Sequence, residues 1–145
     1  MLTFELSTDI ESTIYQDALA LRHSVFVDEQ NVSLAIEIDE KESSCIHVVG
    51  YDQKKRPLVT ARLYPLNAQT FKLQRVAVLL RERGNNYGKE IMAFMEAKAK
   101  QLGATEMVLG AQVHALPFYE KLDYQICSEQ YEEAGIYHYD MKKVL

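Results

Sequence analysis

Between Phe71 and Leu102 the sequence passes from a strand pattern through a basic, glycine-bearing loop into a helix pattern. Phe71 to Leu79 is apolar on both faces at its end, as a central sheet position requires. Arg81-Glu82-Arg83-Gly84-Asn85-Asn86-Tyr87-Gly88-Lys89 follows directly. Ile91, Met95, Lys98 and Leu102 then recur along one side of a helix, flanked by Met92 and Ala99, and Gly103 suits its C-terminal cap. A helix start exposes unpaired N–H groups and the positive end of the macrodipole. Glycines let the backbone approach an anion, and Arg81, Arg83 and Lys89 add positive charge, which suits a pyrophosphate. An ordinary glycine-containing turn fits the same spacing.

Two familiar phosphate loops fail on inspection. A P-loop needs four residues between its glycines and Ser or Thr after its lysine. Here Gly84 and Gly88 enclose three residues, and Glu90 follows Lys89. A dinucleotide fingerprint needs glycine where Asn86 stands.

The rest of the chain places this unit in an α/β domain. Thr3 to Leu6 reads as a short strand. Ile10, Ile14, Ala18, Leu21 and Val25 then keep the helical period, with Asp9 or Ser12 as cap and an end near Phe26 to Asp28. Ser44 to Tyr51 and Leu58 to Tyr64 form a hairpin around a polar turn. Glu106 to Ala111 is a strand, His114 to Lys121 a short helix, and Tyr124 to Tyr131 and Ile136 to Val144 are closing strands. The order β-α-β-β-β-α-β-α-β-β predicts one mixed-sheet domain over residues 1–145. The longest apolar run, Val76 to Leu80, is too short to cross a bilayer. Two cysteines and an N-terminus without export signals suit the cytoplasm.

Net charge is −5, which disfavours nucleic acid as a partner. The segment from Asp28 to Glu42 alone carries six carboxylates against one lysine. It reads either as a solvated loop or as a mouth attracting a cationic amine. Neither the histidines nor the cysteines fall at metal-ligand spacing, so no metal is expected. Histidines on strands, His47 and His138, are usually packed or hydrogen-bonded residues. Arg62 suits either the surface or an acidic acceptor group, and Cys127 reads as a small buried thiol.

The loop resembles that of the GNAT superfamily of acyl-CoA-dependent N-acetyltransferases, roughly [RQ]-x-x-G-x-[GA]. Arg83, Asn86 and Gly88 occupy its fixed positions, with Asn86 in place of the first glycine. Asparagine is the non-glycine residue that best tolerates positive φ. A later family segment, N-x-x-A-x-x-[FL]-Y-x-x-x-G-[FY], is echoed by Gln112, Ala115, Phe118, Tyr119, Asp123 and Tyr124. Leu21 to Gln30 and the tail from Glu133 to His138 are similar to the small ElaA-like branch. The resemblance spans nearly the whole chain in the right order.

It implies a mostly antiparallel central sheet flanked by helices, with strands 4 and 5 splayed around acetyl-CoA as cosubstrate. The backbone of Val76, Ala77 and Val78 then pairs with the pantetheine arm. Arg83, Gly84, Asn85, Asn86, Tyr87, Gly88 and Lys89 cradle the pyrophosphate, with Gln112 and Phe118 beside it. A small-molecule amine or peptide acceptor attacks the thioester directly. Tyr119 matches the family tyrosine that protonates the departing thiolate, and Val78 N–H is a donor for the oxyanion. Glu37 and Asp39, acting through water, are candidate bases, with His47 and His138 as the other options. Tyr131, Tyr137 and Tyr139 suit core packing, an acceptor pocket or a homodimer face. Two other functions share the pattern: a non-catalytic acetyl-CoA-binding module, and an acyl-homoserine lactone synthase. The synthases are typically longer and rich in tryptophan, which this chain lacks.

Overall fold

The computed structural model describes residues 2–145. Its strands are β1 (Thr3–Ser7), β2 (Ile46–Tyr51), β3 (Pro57–Pro65), β4 (Thr70–Val78), β5 (Glu106–Gln112), β6 (Gln125–Ile126), β7 (Tyr131–Glu133) and β8 (Ile136–Val144). Helices α1 (Thr13–Arg22), α2 (Leu34–Glu37), α3 (Tyr87–Gln101) and α4 (Leu116–Glu120) connect them. All strands join one sheet in the order β1-β2-β3-β4-β5-β8-β6, with β7 also on β8. Every pairing is antiparallel except β4 with β5. That exception follows from the connection, because α3 crosses over the sheet to return the chain in the same direction.

The β4–β5 ladder runs only from Thr70–Glu106 to Leu73–Leu109, although the strands continue to Val78 and Gln112. The expected splay is therefore present. A bulge at Arg75, φ 57°, bends β4 where the separation begins.

The core lies between the sheet and α3, whose Ile91, Met92, Met95 and Ala99 pack against Leu63, Leu73 and Met107. The expected stripe drifts by one position: Lys98 is half-buried and Leu102 is exposed. The helix stops at Gln101, and Gly103 at φ +98° turns the chain away before Leu102 reaches the core.

On the other face α1 begins with Ser12, whose hydroxyl accepts from Tyr15 N–H at 3.2 Å. Its helical path continues as a wider π-helical stretch, His23–Glu29, ending close to the predicted limit. Ile10 precedes the cap and is exposed. The closing strand expected at Tyr124 to Tyr131 is broken into β6 and β7, which pair with opposite ends of β8. Ala134 and Gly135, both at positive φ, make the tight turn from β7 to β8.

Candidate active site

The splayed strands open a cavity of about 1130 Å³. Its upper end is built mostly from backbone. Leu79 N–H donates to Leu58 O at 3.1 Å, so strand alternation turns the Val78 amide away from β3 and toward the gap. The Val78 carbonyl accepts from Arg83 Nε at 3.1 Å, and the same guanidinium forms a two-pronged pair with Glu29, both contacts 2.7 Å. Gly84 (φ 91°) and Asn86 (φ 64°) both adopt left-handed conformations, and Asn86 is the N-cap of α3. A Cβ on Gly88 would stand 3.3 Å from the Phe118 ring and 3.8 Å from Val78, so glycine keeps this passage open.

Of the expected cofactor residues, Val76, Ala77, Val78, Arg83, Gly84, Asn86, Tyr87, Gly88, Lys89, Gln112 and Phe118 line the cavity. Asn85 does not line it; its side chain closes the loop by donating to Glu82 O at 2.9 Å.

Tyr119 and His138 reach the same cavity. Tyr119 is buried, and burial pushes its phenol up to about 12, so it stays protonated near neutrality. Its hydroxyl has no hydrogen-bond partner among the described residues. His138 stands opposite Gln112 across the β5–β8 pair. Its Nδ1 lies 2.8 Å from Ile136 O. A carbonyl only accepts, so Nδ1 carries a proton, and in the neutral imidazole Nε2 is the acceptor.

Glu37 and Asp39 also line the cavity, but they are committed to arginines. Arg22 Nε meets Glu37 Oε1 at 2.9 Å, and its Nη1 meets Glu42 Oε1 at 2.7 Å. Arg62 holds Asp39 through Nη1 and Nη2 at 3.0 and 2.8 Å, and Glu42 at 2.7 Å. Burial alone raises the Asp39 carboxyl, but the Arg62 hydrogen bonds and charge override it and leave it far below the usual carboxylate range. Such a group is a poor base. Neither reading of the acidic segment, solvated loop or anionic mouth, describes Glu37 and Glu42: they are 2% and 6% exposed and paired with buried arginines.

Arg62 belongs to neither the surface nor an open acceptor pocket; it is fully buried. His47 is structural, with Nε2 2.7 Å from Glu42 O. Cys127 is exposed and outside the strands, while Cys45 is the buried thiol. Tyr131 donates to Asp140 at 2.6 Å, Tyr139 donates to Gln130 at 3.2 Å, and Tyr137 is exposed.

Sequence reasoning missed Arg22 as the hub of this network. Its signal was available, because Arg22 sits beside Leu21 on the buried side of α1, where a charge requires a partner. Arg75 carried no such signal, since its placement depends on the bulge.

Residues 12–145 match the acetyltransferase (GNAT) domain family. The chain belongs to that family. Its GNAT relatives include the uncharacterized N-acetyltransferase YjcF of Bacillus subtilis, 40% identical over 88% of this chain and 91% of YjcF. A candidate N-acetyltransferase from Lactobacillus plantarum superposes with a TM-score of 0.92 at 30% identity, covering 99% of this chain and 98% of that one. Escherichia coli ElaA superposes at 0.85 with 26% identity and 99% coverage of both chains. A GNAT acetyltransferase from Elizabethkingia anophelis, solved with acetyl-CoA bound, shares the fold at 17% identity and a TM-score of 0.72, over 99% of this chain and 98% of its own. The protein is thus a GNAT acyltransferase. No helix of the described residues is long and apolar enough to cross a membrane.

Proposed function

We propose that the protein transfers the acetyl group of acetyl-CoA to a primary amine in a ternary complex. The observation that carries this reading is the meeting of Tyr119, His138 and the open edge of β4 in one cavity. Acetyl-CoA supplies the activated carbonyl. The Val76 and Val78 backbone binds its pantetheine amides as an added strand, and N–H groups from Arg83 to Lys89 bind its phosphates. Arg83 leaves the Val78 carbonyl when the arm docks there.

The amine attacks as the neutral base, forming the C–N bond while the C–S bond breaks. His138 Nε2 takes the proton the amine must lose, directly or through water. Val78 N–H donates to the oxygen that gains charge. Tyr119 returns a proton to the departing thiolate. Glu37 and Asp39 give up the base role to His138, because arginine donors already occupy their carboxylate oxygens. The same pairing removes the argument for a cationic acceptor.

Thermal unfolding with acetyl-CoA, CoA or ATP tests the cofactor half. Ligand near 100 times Kd stabilises by about 2.7 kcal/mol. A rise with acetyl-CoA and CoA but not ATP is expected, followed by amine-dependent CoA release. A rise without turnover on any amine leaves only a binding module, and no rise at millimolar ligand removes the cofactor site.

A further inference from the structure

The arginines of the cavity wall are not equally satisfied. Arg22 and Arg62 take the best positions around Glu37, Asp39 and Glu42, at distances from 2.7 to 3.0 Å. Arg75 receives what is left. Its Nε is 3.1 Å from Glu37 Oε1 and 3.3 Å from Glu37 O. Its Nη2 is 3.4 Å from both Ile36 O and Asp39 Oδ2. Nη1 has no partner among the described residues.

Burial, and then the positive charge of Arg62, push the Arg75 guanidinium down, whereas the carboxylates push Arg22 and Arg62 up. Arg75 is thus the most loosely held of the three guanidiniums, with Nη1 left without a protein partner among the described residues.

Arg75 occupies the bulge of β4 at φ 57°, an uncommon conformation for an arginine. The bulge keeps its side chain on the same face as Gln74, because Arg75 and Arg62 share Asp39 while Arg62 also bonds Gln74. Strand alternation puts Lys72 on that face too, opposite the buried Phe71 and Leu73. Lys72 lines the cavity and makes no ion pair among the described residues.

Glu37 and Asp39 offset part of the Arg75 charge, whereas Lys72 has no carboxylate partner among the described residues. Asp140, opposite Gly110, already accepts from Tyr131. Lys41 adds a further cation, 5.3 Å above the Tyr64 ring, and Glu133 is exposed on β7. His138 on β8 lines the same cavity, as do the apolar Phe26, Val32, Ile36 and Ile136.

We infer that the acceptor is an amine that also bears a carboxylate, held by Arg75 with Lys72 while its amino group faces His138. This rests on the acetyl-transfer reading above. The unpartnered Nη1 of Arg75 can donate to one carboxylate oxygen, and Lys72 supplies a second point charge. The apolar lining favours a short hydrocarbon spacer or ring between the two groups.

The test uses matched amines on the intact protein: phenylalanine against phenethylamine, and 4-aminobutyrate against butylamine. Acetyl-CoA-dependent release of CoA is measured for each. The carboxylated member of at least one pair is expected to have a kcat/KM about tenfold or more higher. Arg75→Gln and Lys72→Gln should each shrink that ratio, with unfolding midpoints recorded to separate folding from recognition. In parallel, N-acetylphenylalanine in the presence of CoA should raise the midpoint more than N-acetylphenethylamine does, and Arg75→Gln should abolish the difference.

Equal or reversed preference in every pair overturns the inference, as does an equal loss on both members in the variants. If no amine turns over, the product-binding arm decides: selective stabilisation by the carboxylated product keeps the subsite while the acetyl-transfer reading falls. No selectivity there removes the subsite.

Discussion

The two ends of the cavity are made in different ways. The end proposed for the cofactor consists of backbone from one continuous stretch, β4, the loop and the start of α3, with Phe118 and Gly88 setting its width. The other end, where we propose that the acceptor binds, is a wall of side chains from α1, α2, the turn before β2, and strands β3 and β4, held by opposite charges. Backbone geometry tolerates changes of side chain that preserve φ and bulk. A buried ionic wall tolerates almost none, because every member neutralises another.

The largest expected effect tests that contrast directly. Glu42 accepts from Arg22, Arg62, Tyr15 and the Asp39 amide. Glu42→Ala should cost about 3–5 kcal/mol in denaturant unfolding, since it leaves two guanidiniums buried and short of a partner. A loss below about 1 kcal/mol would mean that the wall is not the rigid element described.

Next in size is chemistry. Tyr119→Phe should lower kcat about 100-fold, within the usual range for a lost proton donor. Stabilisation by acetyl-CoA should persist, because the cofactor end is backbone. Unchanged turnover would remove Tyr119 from the reaction.

Acid should attack the two ends unequally. Asp39 and Glu42 are depressed in the folded state, so their contribution is fully present above their unfolded values of 3.8 and 4.5 and is lost as pH falls below them. Burial also lowers His47, so its neutral form favours folding and begins to cost stability as pH falls below 6.5. The unfolding midpoint should therefore drop from about pH 6.5 downward. His47→Gln should flatten the first part of that fall, and an identical profile in the variant would exclude His47 as its source.

The smallest effect belongs to the loop. Asn86→Gly should change stability by less than about 1 kcal/mol, because both residues accept left-handed backbone. Acetyl-CoA binding should survive it. A tenfold loss of affinity on this substitution would show that the Asn86 side chain, rather than backbone conformation, matters at the cofactor end.

The fold was largely legible because strand and helix periods are local. Ile136 to Val144 and the Ser12 cap are seen where the pattern put them. The exceptions have local causes as well. Leu102 falls one residue beyond the end of α3, and the stretch after Tyr124 has too few apolar residues to stay paired along its length.

The sequence by itself determined the strand–loop–helix unit, since left-handed Gly84 and Asn86 and the start of α3 follow from neighbouring residues. Only the tertiary structure decided the fate of the acidic segment. Its six carboxylates looked like one feature, yet Glu37, Asp39 and Glu42 are matched by Arg22, Arg62 and Arg75 from distant parts of the chain, while Glu29 meets Arg83. Charge is counted along the chain but neutralised through space, so local patterns locate a loop and cannot say whether its charges face a ligand or one another.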